Sequence, residues 1–119
     1  MLKSNFVLVS MREDFFYNKS ELRSAVDQKL IEWIFSLNLN SLLVPNIKTL
    51  NVYLRSKEIK INGIILSGGN NIEQKSSRYK VEKKLVNISK KNNIPVLGIC
   101  HGLQFLNYIE GGSLKKIKN

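Results

Sequence analysis

The residues with the clearest capacity for chemistry are Gly98-Ile99-Cys100-His101-Gly102, placed where an apolar strand-like run gives way to a helix-like one. A nucleophile set between two glycines at such a junction forms an elbow. Its backbone is held in a sparsely populated conformation, and larger flanking side chains would collide with adjoining elements. Cys100 would project at the carboxyl end of a sheet, where open α/β folds bind their ligands. The N-terminus of the following helix favours an anion there, and the His101 N–H would point at a developing oxyanion. Cys100 is the chain's one cysteine, and the bland alternative for a lone cysteine is an inert buried thiol. A second run, Gly63-Ile64-Ile65-Leu66-Ser67-Gly68-Gly69, ends in a glycine pair. Such a loop can bring another backbone N–H to the same point and complete a two-donor oxyanion hole; its plain alternative is a glycine turn after a strand. Adjacent residues on an elbow point apart, so the His101 ring is not expected to act as the base for Cys100.

These residues need elements to hold them. Phe6–Ser10, Ser41–Val44, Ile61–Leu66 and Ile94–Ile99 read as short buried strands, the second closed by Pro45. A polar loop is expected through Asn18, then a first helix with Ser20 as N-cap, because Leu22, Val26, Leu30, Ile34 and Leu37 recur at helical spacing beside Trp33. Residues 48–57 suggest a short helix, residues 78–91 a longer one stopped by Asn92-Asn93 before Pro95, and Gly102 to Glu110 another, broken by Gly111-Gly112. Ser113-Leu114 hints at a further strand. Nearly all-apolar strands alternating with helices predict a doubly wound, flavodoxin-like, mostly parallel α/β sheet, incomplete at the C-terminus, within a single domain over residues 1–119.

Composition narrows the class. At 43% hydrophobic and 24% charged, the chain of 119 residues is not broadly disordered. No apolar run approaches the roughly 18 residues of a membrane helix. Phe6-Val7-Leu8-Val9 is too short for a signal-peptide core, so a reducing cytoplasm and no membrane partner are expected. The net charge of +10 falls entirely after residue 47, because residues 1–47 balance five basic against five acidic groups. A basic half suggests nucleic acid. However, Lys80, Lys83, Lys84 and Lys91 fall near one helix face opposite Val81, Leu85 and Ile88, with no interleaved aromatic residues. A solvated face is the better reading, and no nucleic-acid partner is expected.

The segment Asn93-Ile94-Pro95-Val96-Leu97-Gly98-Ile99-Cys100-His101-Gly102-Leu103-Gln104-Phe105-Leu106-Asn107, followed by Gly111-Gly112, resembles the class I glutamine amidotransferase superfamily. With Asn62 to Ile72, the chain looks most like its γ-glutamyl hydrolase branch, typified by γ-glutamyl-γ-aminobutyrate hydrolases. Arg12, the Arg23…Asp27 pair expected on the first helix, Pro45-Asn46, and Arg78 with Glu82 are weaker echoes. The resemblance implies a Cys100 thiol that forms a γ-glutamyl thioester, with oxyanion-hole amides from Gly69 and His101. It implies contacts of Gly68 and Gln104 with the glutamyl group, and neither cofactor nor metal. The substrate would be glutamine or another small γ-glutamyl amide, and a synthetase could be the partner. Arg23-Ser24-Ala25-Val26-Asp27-Gln28 with Trp33 also resembles a subgroup from surface-polysaccharide gene sets acting on γ-glutamyl-linked nucleotide phosphoramidates.

Two departures stand out. Tyr79 occupies a position where many relatives carry Asp. The family's base and orienting carboxylate lie in a His-x-Glu pair well downstream of the cysteine, whereas this chain has one histidine, His101, and ends 19 residues after Cys100. The expectation is a fragment or truncated product, or a complementing C-terminal polypeptide that supplies the base. A non-catalytic remnant or binding subunit is the alternative from another functional class.

Overall fold

The computed structural model describes residues 5–48, 55 and 58–117. Four parallel strands form the main sheet: β1 (Asn5–Ser10), β4 (Asn40–Val44), β5 (Lys60–Leu66) and β6 (Val96–Gly98), in the order β4-β1-β5-β6. This is the doubly wound, flavodoxin-like order, in which the chain leaves the first strand to one side and then crosses to the other. Leu8 lies opposite Leu42 on β4 and Ile64 on β5, and Ile65 lies opposite Leu97 on β6. The expected strand Ile94–Ile99 is shorter as a regular element. Its ends still pair, since Ile64 N–H donates to Pro95 O at 2.9 Å and Ile99 N–H to Leu66 O at 2.9 Å.

Successive residues of the strands face opposite sides, and each side is covered by helix. Val7, Val9 and Ile65 pack with Ile34 of α1 (Gln28–Ser36). Leu8, Val44, Ile64 and Leu66 pack with Val81, Leu85 and Val86 of α2 (Ser77–Asn92) and Phe105 of α3 (His101–Ile109). Helix α2 ends where the sequence indicates, with Asn93 in the left-handed conformation at φ 54°. The lysines 80, 83, 84 and 91 are exposed, while Val81 and Leu85 are buried.

The chain between β1 and α1 differs from expectation. In place of a polar loop and a helix capped by Ser20, an antiparallel hairpin forms from β2 (Arg12–Phe16) and β3 (Glu21–Ala25). Ser20 sits in the turn, left-handed at φ 49°. The helix starts later, with the Asp27 carboxylate accepting from Lys29 N–H at 2.9 Å. The i, i+4 spacing of Leu22 and Val26 is therefore coincidental with helical period, because Leu22 lies opposite Phe15 on a strand. Arg23 belongs to the hairpin, stacked 3.9 Å from the Phe16 ring centroid, and shares no helix with Asp27. Ser113-Leu114 forms no strand. The helix suggested at 48–57 lies almost wholly outside the described residues.

No helix among the described residues is long and apolar enough to cross a membrane. Asp27→Ala is expected to cost about 1 kcal/mol of stability through loss of the cap. Ser20→Ala should stay within about 0.5 kcal/mol if Ser20 is only a turn residue. Urea denaturation of the two variants checks both values.

Candidate active site

Three chain segments converge at the carboxyl ends of the strands: Ser10 at the end of β1, the loop 67–71 after β5, and Cys100 after β6. Cys100 has φ 51° and ψ −106°, outside the regions that a non-glycine residue ordinarily occupies. Its thiol is exposed, so it is not the inert buried cysteine of the bland alternative. The flanking glycines are sterically required. A β-carbon on Gly98 would lie 2.7 Å from Gly102 C and Leu103 N. One on Gly102 would overlap the Leu66 carbonyl. The turn therefore closes against its own helix on one side and against β5 on the other.

The glycine pair of the β5 loop lies beside this elbow. A β-carbon on Gly68 would be 3.6 Å from the Cys100 Cβ. Gly69 has φ 93°, and the stem of Arg12 lies over it, with Cδ 2.8 Å from where a β-carbon would be. Among the described residues, no protein acceptor takes the Gly69 or His101 N–H. Both amides are left for another acceptor. Gln104 is exposed one turn into α3, and its own N–H donates to Cys100 O at 3.0 Å. It shares a helix side with the elbow, and its side chain contacts no described polar group.

The His101 ring turns inward, as its position on the elbow leads one to expect, and is 5% exposed. Nδ1 lies 3.0 Å from Asn70 O, and Nε2 lies 2.7 Å from Glu82 Oε1. A carbonyl oxygen only accepts, so Nδ1 is the donor to Asn70 O, and Nε2 faces the Glu82 carboxyl. Both ring nitrogens are engaged away from the elbow thiol. Glu82 Oε2 also accepts from Ser10 Oγ at 2.7 Å, and Arg78 Nε lies 3.3 Å from Glu82 Oε1. Burial pulls the Arg78 guanidinium below its ordinary value, and the neighbouring Glu82 carboxylate opposes that shift.

Sequence reasoning named Arg78 and Glu82 only as faint echoes and missed Ser10, Glu13 and Asn70. A signal was present for the first two. Arg78, Val81, Glu82, Leu85 and Val86 follow i, i+3, i+4, i+7, i+8, so two ionic residues occupy a stripe that must be buried. The role of the hairpin is visible only in three dimensions. Asn70 Oδ1 accepts from Glu13 N–H at 2.7 Å, Asn70 Nδ2 donates to Glu13 O at 2.8 Å, and Glu13 Oε1 accepts from Arg78 N–H at 2.8 Å. Just past the carboxyl end of β4, Asn46 Nδ2 donates to Met11 O at 3.0 Å and to Ser24 Oγ at 3.3 Å, tying β4 to the hairpin. No group of three or more His, Cys, Asp or Glu among the described residues is arranged to hold a metal ion.

A parallel sheet with a strained, exposed cysteine elbow and a glycine loop beside it defines an α/β domain with its candidate site at the carboxyl ends of the strands. Residues 21–119 match the family described as glutamine amidotransferase class-I, and the chain belongs to that family. It is 32% identical over 101 residues to the GMP synthase [glutamine-hydrolyzing] of Limosilactobacillus reuteri, covering 76% of this chain and 19% of that protein. The enzyme of the same name from Dictyostelium discoideum is 30% identical over 96 residues, covering 81% of this chain and 13% of its own. That of Macrococcus caseolyticus is 32% identical over 106 residues, covering 80% and 20%. The chain thus spans about a fifth or less of the length of these relatives.

Gly102→Ala is expected to destabilise the fold by about 2–3 kcal/mol, because β5 and α3 must separate to admit one methyl group. Gly111→Ala is the control. Gly111 has a positive φ of 91° but nothing within 4 Å of an added β-carbon, so its cost comes from backbone strain alone and should be about 1 kcal/mol. Comparison of their chemical unfolding midpoints checks the order.

Proposed function

We propose that this chain carries the nucleophile and oxyanion hole of a cysteine amidohydrolase that cleaves a γ-glutamyl amide. The observation that carries the reading is the conformation of Cys100, strained and exposed between Gly98 and Gly102, with Gly68 packed beside it. The Cys100 thiolate adds to the γ-carbonyl carbon, and the carbonyl oxygen becomes an alkoxide that accepts from the N–H groups of Gly69 and His101. Collapse re-forms the carbonyl and breaks the C–N bond, and the amine departs with a proton. Water then adds to the thioester, glutamate leaves, and the thiolate is restored. Gly68 and Gln104 border the space for the glutamyl chain.

Glutamine is the first substrate to consider, since the relatives are named for its hydrolysis and the ammonia would pass to a synthetase. The finer reading is a γ-glutamyl hydrolase with a larger leaving group, including a γ-glutamyl nucleotide phosphoramidate. It rests on the Asn62–Ile72 segment, on Arg78 with Glu82, and on Arg23 to Gln28 with Trp33. The proton transfers need a base that the chain's one histidine does not offer, because its ring is committed to Glu82 and Asn70. A complementing polypeptide or downstream segment with a His-x-Glu pair would supply it.

Cys100→Ser is expected to abolish glutamate release from glutamine and from γ-glutamyl amides while leaving circular dichroism unchanged. Gly69→Val keeps the N–H but sets a β-carbon against Arg12 at a positive φ and turns the amide. Its kcat should therefore fall at least about a hundredfold, as when an oxyanion donor is lost, with a modest change in KM. Wild-type turnover in the serine variant would refute the assignment of Cys100. Residues 1–119 alone should show no sustained turnover, since general acid–base groups are each typically worth about 10²–10⁴-fold. Sustained turnover by residues 1–119 alone would overturn the reading that the base comes from elsewhere.

A further inference from the structure

We propose that Arg78 and Glu82 are positioning residues that aim both oxyanion-hole amides, an inference that rests on the amidohydrolase reading above. No peptide bond in the described chain is cis. In a trans peptide the C=O of one residue and the N–H of the next point in opposite directions. The Arg78 guanidinium gathers three successive carbonyls of the loop: Nη2 donates to Ser67 O at 2.6 Å, and Nη1 to Gly68 O at 3.4 Å and to Gly69 O. Drawing the Gly68 carbonyl towards Arg78 turns the Gly69 N–H away from it. The same holds for the Gly68 and Asn70 N–H groups. One buried cation therefore orders a run of amides whose donors all face the side opposite α2.

The same ion pair fixes the second donor. Glu82, fully buried, accepts the His101 ring at 2.7 Å, and the other ring nitrogen reaches Asn70 O at 3.0 Å. The His101 side chain is thereby anchored to both α2 and the glycine loop, and its backbone N–H is fixed relative to Gly69. Ser10 closes the arrangement. Its Oγ donates to Glu82 and accepts from Ser67 N–H at 2.9 Å, and its carbonyl accepts from Ser67 Oγ at 2.6 Å. Arg78 sets the direction of the Gly69 amide, Glu82 sets the position of the His101 amide, and their mutual attraction sets the distance between them. The hydrogen bonds of this pair run to backbone carbonyls, Ser10 and His101 and not to the thiol. Its effect should therefore appear only in steps that build negative charge on oxygen.

Two alkylating reagents separate that effect from general damage. The glutamine analogue whose γ-amide is replaced by a chloromethyl ketone reacts by thiolate addition to the ketone carbonyl, which places an alkoxide in the oxyanion hole. Sulfur then displaces chloride from the adjacent methylene while the first carbon–sulfur bond breaks and the carbonyl re-forms, leaving a thioether. Iodoacetamide reacts by direct displacement of iodide and builds no oxyanion. In the full chain, Glu82→Gln and Arg78→Lys are expected to slow alkylation of Cys100 by the chloroketone at least about tenfold. The iodoacetamide rate should stay within about twofold of wild type. Equal loss with both reagents, or no loss with either, overturns the proposal, because a merely structural role moves both rates together. If either variant fails to fold by circular dichroism, Ser10→Ala replaces it. That variant removes a single hydroxyl from Glu82 and should show the same selective loss at smaller size; unaltered selectivity there overturns the proposal as well. A wild-type Cys100 that neither glutamine nor other γ-glutamyl amides protect from the chloroketone refutes the amidohydrolase reading itself.

Discussion

A carboxylate with no exposure to water governs the arrangement of this site. Glu82 lies on the buried stripe of α2, where an isolated charge would be prohibitively costly. It is tolerated because Arg78 supplies a counter-charge and Ser10 and His101 supply hydrogen bonds. Removing one member of such a pair typically costs about 3–5 kcal/mol, since the survivor is left buried and unpaired. Replacing the whole set with apolar residues of matching volume need not be destabilising. The network's distinguishing property is geometric. It reaches the ends of β1 and β5, the start of α2 and the start of α3 at once, and these are the segments that must converge around Cys100.

Strain and close packing at the elbow follow from the same convergence. Cys100 keeps an unfavourable backbone because Gly98 and Gly102 let β6, α3 and β5 approach more closely than any side chain permits. Ile99 N–H is held by Leu66 O, and Gly102 N–H returns to Ile99 O, so the strained residue is bracketed by satisfied amides. The hairpin adds a third support. Through Glu13 and Asn70 it grips the glycine loop, and Arg12 lies over Gly69. Strain of about 1–3 kcal/mol persists only where surroundings over-determine it, and here they do.

Much of this was legible in the chain itself. Four apolar runs became four parallel strands, and the glycine spacing around Cys100 specified the elbow, because both depend on local sequence. The hairpin was not legible, since Leu22, Val26 and Leu30 imitate a helical stripe while Ala25 ends a strand and Asp27 caps the next helix. Its pairing is decided by contacts to Asn46 and Asn70, which lie far along the chain. The ionic network was half legible. Arg78 and Glu82 fall on the buried stripe of α2, but their partners Ser10 and His101 come from other elements, and no spacing rule connects them.

The central claim is that Cys100 becomes acylated by a γ-glutamyl group in a pocket lined by the Gly69 and His101 amides. Mass spectrometry of the protein quenched in acid during reaction with glutamine or a γ-glutamyl ester tests it most directly. A mass increase of one γ-glutamyl group on the peptide bearing Cys100, lost on treatment with hydroxylamine and absent from Cys100→Ser, is the expected result. An adduct on another residue, or a Cys100 that stays unmodified while glutamate is released, would contradict the account.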